Sequence, residues 1–423
     1  MSANSPDKLS ANPFYNQPLD ASTLDLAVDR LAEIKKLDRA LGEASRGIRQ
    51  SYAILGEDGS GKTSLLNLVQ ARAEVRPKLL VIRLEITSES NELRFFKGLV
   101  QAITGELEKI TGSLGPFGGD IKGIRKRLEG TVKEESVRDE VSVAIPLLFG
   151  FLGFGGGISA REKETMQRFE DVTEILPSLE KVVKFVLSKR FNTVLVLIDE
   201  AGYFASDTTR SLLQRMRLLF QNTPFMLIVA GNPLLMDELI KVEPTFANLI
   251  APNLRIRLSQ LTESDVRELI QTRLDKVRPV RLGGTNLEPF TAEAADEVRR
   301  QSKGNLRDIV SILHESLEIA LDEGKNPIDE GTVLRASKIV LAGKGRDMFS
   351  RLKEHEREIV LSLKRSDEDY VAGLAKKLKK KSPTLVEQVK KMRELGYLEV
   401  SREEANITYY RLCKPLDQYL SLP

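Results

Sequence analysis

Eight consecutive residues, Gly56-Glu57-Asp58-Gly59-Ser60-Gly61-Lys62-Thr63, have the spacing G-x-x-x-x-G-K-T. This spacing can cradle a polyphosphate. Glycines let backbone N–H groups turn inward, Lys62 reaches the terminal phosphates, and the Thr63 hydroxyl is a Mg²⁺ ligand, with Ser64 next in line. A second set begins 137 positions after Lys62, at Asp199. A carboxylate at the end of a buried strand holds Mg²⁺ opposite a phosphate loop, and Glu200 beside it is placed to polarise an attacking water. Asn232 follows the next apolar run, where an amide can bond a γ-phosphate or orient that water. Arg307, within Gly304-Asn305-Leu306-Arg307, opens a later helix from which a guanidinium can reach the same phosphate. The catalytic candidates are therefore Lys62, Glu200, Asn232 and Arg307. Thr63 and Asp199 predict Mg²⁺, and with no N-K-x-D motif to read guanine, ATP is preferred over GTP as the nucleotide.

These groups need a scaffold. Ser51–Leu55 is a short apolar run before the loop, and Thr63–Val69 has helical apolar spacing. Strand, loop and helix in that order put phosphate at a helix N-terminus. Further strands are expected at 79–86, 194–199, 225–230 and 254–258, alternating with helices at 24–44, 91–110, 169–190 and the stretch after Glu200. Continuous runs such as Val194-Leu195-Val196-Leu197-Ile198 are what parallel strands buried on both faces look like. The expected class is α/β: a parallel sheet over residues 24–260, after a flexible lead at 1–23. Residues 111–165 break the rhythm as an insertion. Its second half, 141–160, reads as a β-hairpin, or as an element that touches a protein partner or a membrane surface.

After Gln260 the strand signals stop. Thr262 is a plausible N-cap, and helices near 263–274, 291–302, 304–322 and 330–341 predict a helical lid over 261–345. Residues 346–423 change again, with helices at 353–363, 368–380 and 382–395, then strands at 397–400 and 407–412. Three helices followed by a hairpin describe a winged helix. Its Lys376–Arg393 stretch holds eight basic residues and one acid, Glu387. Such a face neutralises DNA phosphates, with Ser382, Thr384, Gln388 and Lys391 as candidate groove contacts. Winged helices also dock proteins, so double-stranded DNA and a protein partner both remain open.

Composition narrows the setting. The 423 residues are 41% hydrophobic and 30% charged, with a net charge of +3. Two or three soluble domains are expected, and any nucleic-acid surface must be local. One cysteine, Cys413, precludes an internal disulfide. The absence of a signal core or an apolar span of membrane length predicts a cytoplasmic protein. His314 and His355 have no partners at metal-ligand spacing.

Gly56–Thr63, Asp199-Glu200, Asn232 and Gly304–Arg307 resemble, in order and context, Walker A, Walker B, sensor 1 and sensor 2 of AAA+ ATPases. Val28-Asp29-Arg30-Leu31-Ala32-Glu33-Ile34 resembles the box that precedes the loop there, with Asp29 and Leu31 departing from its usual residues. With a C-terminal winged helix, the chain is most similar to the initiator, origin-recognition-like branch and to STAND-like ATPases. The resemblance implies Mg²⁺-dependent ATP hydrolysis, and self-association in which a neighbour supplies an arginine; a degenerate arginine finger would make turnover slow. Arg210, Arg215, Arg217, Arg255 and Arg257 are the arginines near the relevant strands, none in a clear motif. The initiator reading is a nucleotide switch that controls oligomerisation and DNA binding. The STAND-like reading is a signalling or scaffold ATPase whose winged helix and 141–160 element contact proteins.

Overall fold

The computed structural model describes residues 9–421 apart from 10, 16, 20–22, 24–29, 87–90, 112–171, 189–190, 279–286 and 406. The expected insertion beyond Thr111, its 141–160 hairpin and the Val28-Asp29 pair lie outside the described residues. The chain divides into two units, one of residues 18–25 and 30–259, the other of residues 1–17, 26–29 and 260–423.

In the first unit five strands form one parallel sheet: Tyr52–Leu55 (β1), Leu79–Glu85 (β2), Thr193–Asp199 (β3), Phe225–Gly231 (β4) and Arg255–Arg257 (β5). Their order is β2-β3-β4-β1-β5. The apolar runs follow from this placement, since central strands covered by helices on both faces have no polar side. β4 is buried at every one of its 7 positions. Its longer helices among the described residues are Leu31–Ala44 (α1), Lys62–Glu74 (α2), Glu92–Thr111 (α3), Val172–Ser188 (α4), Arg210–Asn222 (α5) and Leu235–Val242 (α6). β5 is shorter than the expected 254–258, because it is an edge strand with Arg255 and Arg257 on either side of Ile256.

The second unit begins with Glu263–Leu274 (α7), Ala292–Ser302 (α8), Leu306–Glu323 (α9) and Glu330–Ser350 (α10). Thr262 caps α7, and Asp265 completes the capping box. The apolar stripes of these helices meet in one core, in which Phe14 is fully buried. Phe14 stands edge-on to Phe290, with ring centroids 5.7 Å apart. Arg273, itself buried, donates to the carbonyls of Pro13 and Tyr15 at 3.3 Å each, and its guanidinium lies over the Tyr15 ring. Residues 12–15 thus correct the expectation of a flexible lead over 1–23: a large aromatic side chain found a core to fill. Phe14→Ala should cost about 3 kcal/mol through lost burial and the cavity left behind. Thermal unfolding monitored by circular dichroism checks this.

The tail comprises Glu354–Ser366 (α11), Glu368–Tyr370 (β6), Val371–Leu378 (α12), Ser382–Glu394 (α13), Leu398–Glu404 (β7), Ile407–Leu412 (β8) and Lys414–Tyr419 (α14). The three strands form an antiparallel sheet ordered β6-β8-β7. Residues 368–370, expected as helix, form a strand instead. Glu368-Asp369-Tyr370 is too short and polar to signal one, and it exists through pairing with β8. α13 starts at Ser382, as expected, with Lys381 in the cap position. Leu385, Val389 and Met392 of α13 pack with Ile359, Leu363, Leu374 and Leu412. Cys413 is buried in the same core, and burial pushes its thiol up to about 11, so it is a structural, unreactive cysteine.

The helix expected to end at 341 continues to Ser350, so the boundary drawn between 345 and 346 falls inside α10. α10 packs closely on α14. A Cβ on Gly345 would lie 2.0 Å from the Pro415 carbonyl oxygen, so no larger residue fits at this crossing. Lys303 pairs with Glu399 at 2.7 Å, and Lys414 bonds Gln301. Helices α7–α10 and the tail therefore share one packed unit.

Candidate nucleotide site

The sheet order explains how residues far apart in sequence meet. β4 lies between β1 and β3, so the carboxyl ends of three parallel neighbours carry Gly56, Gly231-Asn232 and Asp199 along one edge. Open α/β sheets bind ligands at that edge.

The loop itself is held in a compact form. Gly56 N–H continues the β1–β4 ladder to the Gly231 carbonyl at 3.1 Å, and Ser60 N–H closes a turn on the Glu57 carbonyl at 3.1 Å. Gly61, in the left-handed region at φ 94°, launches α2. A Cβ on Gly56 would stand 2.4 Å from Ser60 Oγ, so glycine is required for the loop to fold back on itself. Glu57 and Asp58 are exposed at its tip, and Gly59 has φ 80°. Buried Ser60 Oγ makes no hydrogen bond in this structure. Arg30 is also buried, and donates to the carbonyls of Ser60 at 3.3 Å and Ser259 at 3.1 Å, tying the loop to the chain beyond β5.

Lys62 Nζ donates to the carbonyls of Gly56 and Glu57, both at 2.9 Å, so its ammonium lies across the loop. Thr63, in the first turn of α2, donates its hydroxyl to Asp199 Oδ2 at 2.9 Å. The donor set is a threonine hydroxyl and a carboxylate, both hard oxygens, beside a helix N-terminus. That chemistry fits Mg²⁺ and a polyphosphate. Asp199 Oδ1 accepts from the backbone N–H of Glu200 at 3.0 Å. Glu200 is exposed and sits at φ 51°, ψ 38°, before a single 3-10 turn over Ala201–Phe204. A left-handed non-glycine residue costs about 1 kcal/mol, and such strain collects where a side chain must be aimed. Asn232 Oδ1 accepts from Leu234 N–H at 2.8 Å, and its Nδ2 faces Gly202, at 3.8 Å from where a Cβ would stand.

Ser64 is engaged differently from its neighbours in the loop: its Oγ accepts from Leu19 N–H at 3.1 Å, while Asn67 of α2 donates to the Leu19 carbonyl at 2.7 Å. The remaining candidate, Arg307, belongs to the other unit. It is exposed in the first turn of α9, which Asn305 caps by accepting from Asp308 N–H at 3.2 Å. Of the arginines near the sheet, Arg215 pairs with Glu92 and Arg255 bonds the Ile250 carbonyl, whereas Arg210 and Arg257 are exposed.

One participant escaped the sequence reading. Arg83 of β2 donates to Asp199 Oδ2 at 3.0 Å and also to Asn67 Oδ1. A single cation inside the apolar run Leu79–Ile86 is the signal that marks it, because a buried charge needs a partner.

The basic face of the tail is partly neutralised. Lys377 pairs with Asp369 at 2.8 Å and Lys380 with Glu358, two acids that the linear stretch does not contain. Lys376, Lys379, Lys381, Lys390, Lys391 and Arg393 are exposed. Ser382 and Thr384 are exposed as well, and Gln388 is half-buried.

Residues 46–239 match a family described as AAA domain, a span that includes the phosphate loop, Asp199, Glu200 and Asn232 and ends before Arg307. An uncharacterized HTH-type transcriptional regulator of Methanocaldococcus jannaschii is 29% identical over 416 residues, covering 98% of this chain and 93% of that protein. The fold is similar to that of the Aeropyrum pernix ORC1 protein, solved in complex with DNA. That likeness has a TM-score of 0.57 at 15% identity and covers 100% of this chain and 97% of the other. It is also similar to the Aeropyrum pernix ORC2 protein, solved as ADPNP-ADP complexes, at TM-score 0.57 and 14% identity over 96% and 94% of the two chains. No helix among the described residues is long and apolar enough to cross a membrane.

Proposed function

From a chain in which residues 46–239 match an AAA domain family, on a fold similar to those of the Aeropyrum pernix ORC1 and ORC2 proteins, we propose a magnesium-dependent ATPase that works as a switch. Its nucleotide state governs self-association and the grip of a C-terminal winged helix on double-stranded DNA. The observation that carries the nucleotide reading is the contact between Thr63 and Asp199, 2.9 Å apart at the mouth of a glycine loop. Mg²⁺ bound there supplies charge neutralisation for the phosphates. Lys62 binds the terminal phosphates. Glu200 takes a proton from water as it attacks the γ-phosphorus, and Asn232 orients that water. The products are ADP and inorganic phosphate. Arg307 reads the γ-phosphate from the lid. Because α10 runs unbroken from the lid into the packing against α14, any movement of the lid carries the tail with it.

DNA is favoured over a protein partner by exposed Lys376, Lys379, Lys381, Lys390, Lys391 and Arg393, and by the similarity to the Methanocaldococcus jannaschii HTH-type regulator. Replacing Lys379, Lys381, Lys390 and Lys391 together by glutamine should weaken duplex binding by about 100-fold at low salt and flatten its salt dependence. Fluorescence anisotropy with a labelled duplex across a salt series checks this. Equal affinity of parent and variant would assign the face to a protein partner instead.

A further inference from the structure

Asp199 is occupied on both oxygens. Oδ1 takes the Glu200 N–H, and Oδ2 takes both the Thr63 hydroxyl at 2.9 Å and the Arg83 guanidinium at 3.0 Å. We propose that Arg83 is a positioning residue that competes with Mg²⁺ for Asp199 Oδ2, holding the carboxylate in place whenever the metal is absent. This rests on the magnesium–nucleotide reading of the site and deepens it.

The register puts the two side chains within reach of each other. Glu85 is level with Asp199 across the β2–β3 ladder, and Arg83 lies two residues before Glu85. Residues two apart on a strand share a face, so Arg83 and Asp199 point the same way and the long arginine spans one pleat to reach its partner. The side chains are only 25% and 14% exposed, so this is not a solvent-screened surface pair. A divalent cation and a guanidinium cannot share one carboxylate oxygen without strong repulsion at such distances. Metal entry therefore requires two exchanges. Arg83 must leave Oδ2, and the Thr63 hydroxyl must turn its lone pair, instead of its proton, toward the site. Arg83 has somewhere to remain, because Asn67 Oδ1 on α2 is its second acceptor. Asn67 in turn holds the Leu19 carbonyl, so the exchange connects the metal site to the segment at Leu19.

Two other roles are separable from this one. If Arg83 merely braced the sheet, its loss would lower stability without altering metal dependence. If it bound phosphate directly, its loss would weaken metal-free nucleotide binding. The test is a titration of Mg²⁺ into full-length protein with mant-labelled ADP, a nucleotide that cannot be hydrolysed further at this site, starting from EDTA. For Arg83→Gln the Mg²⁺ midpoint should fall about fivefold, the worth of a partly exposed ion pair, with metal-free affinity unchanged. Arg83→Lys, a point charge that cannot bridge two acceptors, should shift the midpoint in the same direction by less. An unchanged or raised midpoint, or a loss of metal-free affinity, overturns the proposal. Should Arg83→Gln fail to fold by circular dichroism, Arg83→Lys decides alone, and its unchanged midpoint overturns it. Failure of the parent to bind ADP with or without Mg²⁺ would remove the nucleotide reading and this proposal together. Normal binding with identical midpoints would remove this proposal only.

Discussion

Replacing Lys62 by alanine is expected to lower affinity for ATP by about 100-fold or more, the consequence of losing a charge-assisted contact worth about 3 kcal/mol. Lys62 stands in the first turn of α2, with its ammonium 2.9 Å from two carbonyls of the loop that would wrap a polyphosphate. Alanine removes the only positive side chain within Gly56–Thr63 and the brace that crosses that loop. The cost to folding should be small, because both carbonyls lie at a partly hydrated surface. A fluorescent ATP analogue titrated into parent and variant reads the effect, with circular dichroism as the control for folding. Affinity retained within about twofold would take the loop out of the nucleotide site.

Glu200→Gln should leave ATP binding intact and lower the rate of phosphate release by about 100- to 1,000-fold, the usual contribution of a placed general base. The exchange keeps the volume and the left-handed backbone at φ 51° but removes the group that accepts the proton of water. The Glu200 N–H would still bond Asp199 Oδ1, so the metal carboxylate stays in position. A phosphate-release assay at saturating ATP, paired with a binding titration, separates the two effects. Equal turnover in parent and variant would move the catalytic base elsewhere. Coupled loss of binding would mean that Glu200 shapes the site instead of working in it.

Much of this site was legible in the chain. The eight-residue loop is a contiguous pattern whose glycines and lysine serve one purpose. Val194–Ile198 and Phe225–Ala230 are apolar runs that only strands buried on both faces explain, so the ends of those strands, Asp199 and Asn232, could be named. Arg83 was not singled out, because a cation in a strand has many possible partners until the register pairs it with one. Asp369 and Glu358 were not seen to temper the lysine-rich stretch, since neither is near it in sequence. Phe14 looked like part of a polar lead because its partners, Phe290 and the helices from Val266 to Val333, lie far along the chain.

By itself the sequence determined the local chemistry: a phosphate loop before a helix, two carboxylates at the end of a buried strand, and a helical second half ending in a basic module. These are short-range facts, encoded by residue type and by the periods of strand and helix. Tertiary structure alone decided which distant residues meet. The order β2-β3-β4-β1-β5 puts Thr63 within 2.9 Å of Asp199 across 136 positions of chain, and the β2–β3 register gives Asp199 its arginine. Strand order and register are properties of the whole packed sheet, set by which faces can be buried together, and no local pattern carries them.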